Sequence, residues 1–353
     1  MSENQPIGVG IVGLGFMGRT HLASYLAADK TGCPNRIVAL CDRDEARRSG
    51  RPAEGGNLEV PVAGLAEFDP TTVPIHADLG ALLAEDDIDL VSICTHTDSH
   101  VDYAIRALEA GKHVIVEKPV SLSSTEVERL AAVVESTGRL CLPGMCMRFS
   151  PDWRWLRERI RDRRFGEVRS AVFRRLGSPP AWSREFYSDL SRSGGALFDL
   201  HVHDADFVQW CFGTPEAVTT HGTPHHLTTL YHWSDGPPHV SVEGGWDHTP
   251  GLDFRMLFTV VFEQATADYD LRRSPQLWLA RDGKFEPVDP AETGRGDGYE
   301  LEIRHALECV AAGRTDTDAT VAEAAELTRV LEAERESLES GRRVEVGRTG
   351  TRR

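Results

Sequence analysis

The sequence predicts an α/β protein in two parts: a doubly wound parallel sheet, then an α+β region built on a large, mostly antiparallel open sheet. Three observations carry the prediction. From residue 7 to about 142, short apolar runs alternate with stretches of helical spacing, the pattern of parallel strands joined by crossover helices. The first run breaks at once into glycines spaced Gly13-x-Gly15-x-x-Gly18, a strand turning sharply into a helix. After residue 148 the alternation stops, and from residue 218 to about 279 strand-like segments follow one another with turn signals between them. A chain of 353 residues exceeds what one hydrophobic core usually organises, so the expected division is 6–147, 148–346 and a disordered tail at 347–353.

In order, the apolar runs at 7–12, 36–41, 88–95, 112–116 and 139–142 read as buried strands. Helical composition and spacing fill 20–28, 79–84, 101–110 and 125–136. Residues 49–75, rich in Gly, Pro and Glu, fit neither period and are expected to form a loop insertion. In the second part, 148–160 reads as a linker helix, 167–176 as a strand and 194–210 as a helix, with closing helices at 299–312 and 319–338.

A net charge of -16 excludes a broad nucleic-acid or anionic-membrane surface and leaves a small molecule as the expected partner. No apolar run approaches the ~18 residues of a membrane span, and residues 1–6 lack the features of a signal peptide, so a cytoplasmic protein is expected. The seven cysteines, with no C-x-x-C pair and several inside apolar runs, read as buried thiols. Lysine is rare: Lys30, Lys112, Lys118 and Lys284 are the only ones in the chain.

The glycine pattern has a specific physical use. Gly13 permits the tight turn, Gly15 lets the backbone approach a pyrophosphate, and Gly18 lets the helix pack closely on its strand, with Phe16 and Met17 in the same turn. The phosphates then meet the unpaired N–H groups of a helix N-terminus. Asp42 ends the second apolar run, a little over twenty residues beyond Gly18, where a carboxylate accepts both ribose hydroxyls of an adenosine and repels a 2′-phosphate. That favours NAD, while Arg43 beside it leaves NADP open; the alternative makes Asp42 a plain turn residue.

Three segments carry candidate chemistry. Glu117-Lys118-Pro119 follows the apolar run 112–116, and ligands of open parallel sheets bind outside the carboxyl ends of the strands. An ammonium there can hydrogen-bond a substrate hydroxyl and stabilise its developing negative charge; the alternative is a turn lysine paired with Glu117. In the run Gly194 to Asp206, Asp199 and His203 stand four apart and so project from one face of a helix, a carboxylate beside an imidazole suited to proton transfer. His201 lies about 200° around such a helix from His203 and reads as a core histidine. Were the segment a strand, His201-x-His203-Asp204 would suit a metal, but none is expected. Thr95, His96 and His100 follow the third long apolar run and edge the same crevice, with Asp98 or Ser99 expected to cap the next helix. Trp153, Trp155 and Trp182 read as core or interface, and His225 and His226 as a solvated, Pro-flanked turn.

With these residues in place, the chain resembles the glucose-fructose oxidoreductase, inositol dehydrogenase and rhizopine-catabolism (Gfo/Idh/MocA) family over residues 6 to 340. The resemblance rests on Gly13-x-Gly15-x-x-Gly18, Glu117-Lys118-Pro119, Arg148-Phe-Ser-Pro151 and Gly194-Gly195-x-x-x-Asp199-x-x-x-His203. It implies a Rossmann domain followed by a domain with a large open sheet, and a catalytic group of Lys118, Asp199 and His203. His203 is then expected to take the proton of a secondary hydroxyl of a sugar or cyclitol while hydride passes to the nicotinamide. Lys118 would orient the oxygen, and Asp199 would align the substrate and His203. The same resemblance implies a homodimer or homotetramer. It also leaves two other roles open: a lyase or glycosidase that oxidises and re-reduces its substrate on retained NAD, and a non-catalytic NAD-dependent sensor. Family members commonly carry proline where this chain has His96.

Overall fold

The computed structural model describes residues 5–50, 65–180 and 183–347. The middle of the expected loop insertion (51–64), Trp182 and the tail beyond residue 347 lie outside the described residues.

The chain forms two compact units. The first gathers residues 1–121, 125–150 and 296–325; the second gathers 122–124, 151–295 and 326–353. The division is thus not the contiguous one expected. The first break falls near residue 150, but the helix Gly298–Ala311 returns to the first unit, where it packs on the helix Phe16–Lys30.

The first unit holds a six-stranded parallel sheet of β1 (Ile7–Val12), β2 (Asn35–Cys41), β3 (Ile75–His76), β4 (Leu90–Ile93), β5 (His113–Val116) and β6 (Cys141–Pro143). Their order is β3-β2-β1-β4-β5-β6, so the chain runs outward from β1 on one side and then on the other. The long strands are continuous apolar runs because helices cover both faces of a parallel sheet. Val9, Ile11, Leu40, Val91, Ile93, Val114 and Val116 are all buried. The two-residue β3 is the one strand of this sheet without a predicted counterpart.

The second unit holds a nine-stranded sheet: β7 (Val168–Leu176), β8 (Ala217–Thr223), β9 (His226–His232), β10 (Val240–Gly245), β11 (Arg255–Phe262), β12 (Thr266–Asp270), β13 (Leu277–Arg281), β14 (Lys284–Pro287) and β15 (Val344–Glu345). The order is β14-β13-β12-β11-β7-β10-β9-β8-β15, and every pairing is antiparallel except β10 with β7. Trp153 sits in this unit's core, edge-on to Phe207, Phe258 and Tyr269, and Trp155 is buried as well. All seven cysteines are free thiols. No helix among the described residues is long and apolar enough to cross a membrane.

Candidate active site

The glycine turn has the geometry its spacing requires. Gly13 adopts φ +92°, where a side chain would be strained and would overlap the Cys94 carbonyl. A Cβ on Gly18 would overlap the Gly13 carbonyl oxygen, so only glycine lets the helix Phe16–Lys30 begin this close to β1. Beside Gly15 there is room, since an added Cβ would meet only the Arg47 guanidinium at 3.5 Å. Asp42 is buried at the end of β2, and its Oδ2 accepts the Leu14 N–H at 2.7 Å while Oδ1 accepts the Asp44 N–H at 2.9 Å. Each carboxylate oxygen keeps a lone pair after one such bond. The residues present therefore fit a dinucleotide: a turn open to a pyrophosphate, a helix N-terminus, and a fixed carboxylate for a ribose. Arg43 is exposed, whereas Arg47, which the sequence reading passed over, stands 3.7 Å from Asp42 Oδ2 and next to Gly15. Its signal lay in spacing alone, on the short helix Glu45–Arg48 that Asp44 caps.

Glu117 and His100 were expected to touch the cofactor, and each is bonded within the protein. Glu117 is buried; its Oε1 accepts from His21 Nε2 at 2.9 Å and its Oε2 from the Lys118 backbone N–H at 3.1 Å. His21 Nδ1 lies 3.3 Å from Ser92 Oγ, which lies 2.8 Å from the Tyr25 hydroxyl. One proton arrangement satisfies the whole chain: Tyr25 donates to Ser92, Ser92 to His21, and His21 to Glu117. Burial pushes the Glu117 carboxyl up, but the hydrogen bond from His21 and the nearby Lys118 ammonium outweigh it and hold the group below its ordinary value. Glu117 is thus an ionised anchor for the Lys118 backbone. Polar Ser92 inside an otherwise apolar run was the available signal.

His100 is equally committed to the protein. Its Nδ1 is 2.9 Å from the Pro119 carbonyl and its Nε2 2.9 Å from the Thr95 carbonyl. Two carbonyls favour the doubly protonated ring, while burial lowers its pKa. The imidazole ties the loop after β4 to the loop after β5. Thr95 and His96 are half-buried in that loop, where the Ser99 hydroxyl bonds Thr95 Oγ1 at 2.7 Å and the His96 carbonyl at 2.8 Å. Ser99 holds the N-cap position of the helix His100–Glu109 without a side-chain capping bond. Lys118 is half-buried at the end of β5.

In the second unit, Asp199 belongs to a π-helical turn, Leu197–His201, which runs into the α-helix Val202–Phe212. Such turns occur inside α-helices and often at functional sites. The helix is pinned from its buried side. His201 lies 2.8 Å from Glu334 Oε2 and 3.2 Å from the Tyr231 hydroxyl, all three buried, and Asp204 takes a two-pronged pair from Arg175 at 2.8 and 3.1 Å. His201 is a core histidine, as its angular position suggested. Asp199 and His203 are half-buried instead.

The chain belongs to the Gfo/Idh/MocA family of oxidoreductases, and its first unit is an NAD-binding Rossmann domain. The family's model "Oxidoreductase family, NAD-binding Rossmann fold" matches residues 7–145, and its C-terminal domain model matches residues 153–269. Among relatives, the scyllo-inositol 2-dehydrogenase (NAD+) of Bacillus subtilis (strain 168) is 28% identical over 334 residues, covering 88% of this chain and 89% of that protein. An inositol 2-dehydrogenase of Rhizobium meliloti (strain 1021) is 30% identical over 213 residues, covering 60% of this chain and 56% of that protein. The fold is shared with a levoglucosan dehydrogenase solved with NADH and levoglucosan, at TM-score 0.80 and 20% identity over 98% of this chain and 100% of the other.

Proposed function

We propose that the protein is an NAD-dependent dehydrogenase that oxidises a secondary hydroxyl of a cyclitol, a sugar or a sugar derivative, with Lys118, Asp199 and His203 as its catalytic group. The observation that carries the reading is the buried support beneath Lys118. An ionised Glu117, held by His21, fixes the backbone of a half-buried lysine at a strand's carboxyl end, in a chain whose other lysines number three. A surface turn lysine needs no such anchor. The names of the inositol and levoglucosan dehydrogenases among its relatives support the substrate class.

Bound NAD supplies a two-electron acceptor. The chain's own residues do the rest. Lys118 donates a hydrogen bond to the reacting oxygen, which orients it and stabilises the negative charge that develops there. His203 accepts the hydroxyl proton as the carbinol carbon gives up its hydride and the C–O bond becomes C=O. Asp199, one helical step from His203, aligns the imidazole and a neighbouring hydroxyl. A cytoplasmic location and a homodimer or homotetramer belong to the same proposal, and light scattering of the purified protein tests the assembly. Substituting Lys118→Ala and His203→Ala separately tests the chemistry: both variants should bind NAD as the parent does and lose most hydride transfer. Full turnover in both would refute the assignment.

A further inference from the structure

A cluster at one end of the β9–β10 pair takes no part in the proposed chemistry. His226, Asp247 and His248 each offer one ligand atom, and these atoms all lie within 4.8 Å of one another. His226 opens β9 opposite Gly245, the last residue of β10, so the pairing register carries it alongside the two residues that follow Trp246. A solvated His226 and no metal were expected. The ring is instead half-buried, with Nδ1 2.7 Å from Asp247 Oδ1 and Nε2 3.1 Å from Glu243 Oε1.

Three features set this apart from a surface ion pair. A metal-binding imidazole commonly donates its second N–H to a carboxylate, which fixes the tautomer and turns the bare nitrogen to the ion. Glu243 stands in that position on the Nε2 side, and its other oxygen is held by Arg174 Nε at 2.6 Å. Second, His248 Nδ1 is shielded from solvent and has no hydrogen-bond partner among the described residues. An unsatisfied buried ring nitrogen is unfavourable, and a cation would satisfy it. Third, a Cβ on Gly245 would come within 2.8 Å of the His226 ring, so glycine here is what lets the imidazole lie against the strand.

We propose that His226, Asp247 and His248 form a site for a divalent transition-metal ion of the zinc class, with Glu243 orienting His226 and water completing the coordination. Two imidazoles with a carboxylate suit zinc better than magnesium or calcium, which prefer oxygen alone. Zinc ligands lie about 2.0–2.2 Å from the ion, so the three side chains must draw slightly closer, and the exposed Asp247 is free of packing that would prevent it. The ion would act on the unit that holds it. Pro224, two residues before His226, accepts the N–H of Ala196 at 2.8 Å, at the start of the segment bearing Asp199 and His203. His225 is bonded to Trp246 through both backbone and ring. Clamping this turn is therefore expected to stiffen the support of that segment.

The test uses the full-length protein stripped of metal with a chelator. It is titrated with Zn2+ by calorimetry and with Co2+ by visible absorption. Saturation at one ion per chain, an intense Co2+ spectrum of low coordination number and a raised thermal midpoint are expected. Asp247→Asn and His248→Ala should each weaken binding at least tenfold, and Glu243→Gln by a smaller factor, with NAD affinity unchanged in all three. Asp247 is exposed, so its variant keeps the test intact should His248→Ala fail to fold. No saturable binding at millimolar zinc, or unchanged affinity in Asp247→Asn, would overturn the proposal by assigning any uptake to other histidines. The outcome is independent of whether the chain is a dehydrogenase.

Discussion

Replacing Glu117 by Gln tests the buried relay beneath Lys118 with a change of almost no volume. Glu117 accepts from two donors, His21 Nε2–H at 2.9 Å and the Lys118 N–H at 3.1 Å. A glutamine has one oxygen, so its NH2 must face one of those donors. The less costly solution keeps the oxygen on Lys118 and turns the NH2 toward His21, which must then accept at Nε2 and donate from Nδ1. Ser92 now receives from His21 and must donate to Tyr25, and the Tyr25 hydroxyl hydrogen is left without an acceptor in a fully buried site. One orphaned buried donor costs about 1–3 kcal/mol, and the lost charge-assisted bond about 1.5–3 kcal/mol before the new bonds offset part of it. We expect a net loss of about 2 kcal/mol, read as a lower midpoint in urea unfolding. Tyr25→Phe should destabilise the parent by about 0.5–1.5 kcal/mol because Ser92 loses its donor. In the Glu117→Gln background it should cost about as much, because one hydrogen bond is again lost and the orphaned hydrogen passes from Tyr25 to Ser92. A strongly non-additive double-mutant cycle, or a loss below about 0.5 kcal/mol for Glu117→Gln alone, would refute the proton arrangement.

Other consequences follow from the same geometry. Because the folded pKa of Glu117 is depressed, its contribution is fully present above the ordinary glutamate value and is lost as pH falls through the lower folded value. Acid titration of stability should therefore be shallower in Glu117→Gln than in the parent, and identical slopes would contradict the assignment. Asp42→Ala should weaken NAD more than NADP, and the parent should prefer NAD at least tenfold, about 1.4 kcal/mol, in fluorescence titrations of both cofactors. A preference for NADP would transfer the role to Arg43 or Arg47. His201→Ala leaves the buried Glu334 without its hydrogen-bonding partner, so a loss of about 1–3 kcal/mol is expected in thermal or urea unfolding. A loss below about 0.5 kcal/mol would mean that the pair does not anchor the helix.

The parallel strands were readable because burial on both faces makes them continuous apolar runs, and β1, β2, β4, β5 and β6 all fall where those runs lie. Two-residue β3 is too short to show a period. The return of Gly298–Ala311 to the first unit left no local mark, since its packing on Phe16–Lys30 joins segments far apart in sequence. Within the site, residue types and spacing pointed to Asp42, Lys118, Asp199 and His203, but not to what each touches. Glu117 and His100 stand beside residues assigned to the ligand and were read as ligand-facing; their long-range partners, His21 for one and two backbone carbonyls for the other, left no mark in the local sequence. The π-helical turn is invisible for a related reason, because a four-residue step is close to one turn of either helix. His226 met Asp247 and His248 only through strand register, which composition does not encode.

The most direct test of the central claim is to add free NAD and a panel of cyclitols and sugars to the purified protein and follow the near-ultraviolet absorbance of reduced nicotinamide. The account predicts NADH formed in step with ketone product by the parent, and none by Lys118→Ala or His203→Ala at saturating NAD. Product formed without net NADH, or NAD bound with no turnover across the whole panel, would contradict it.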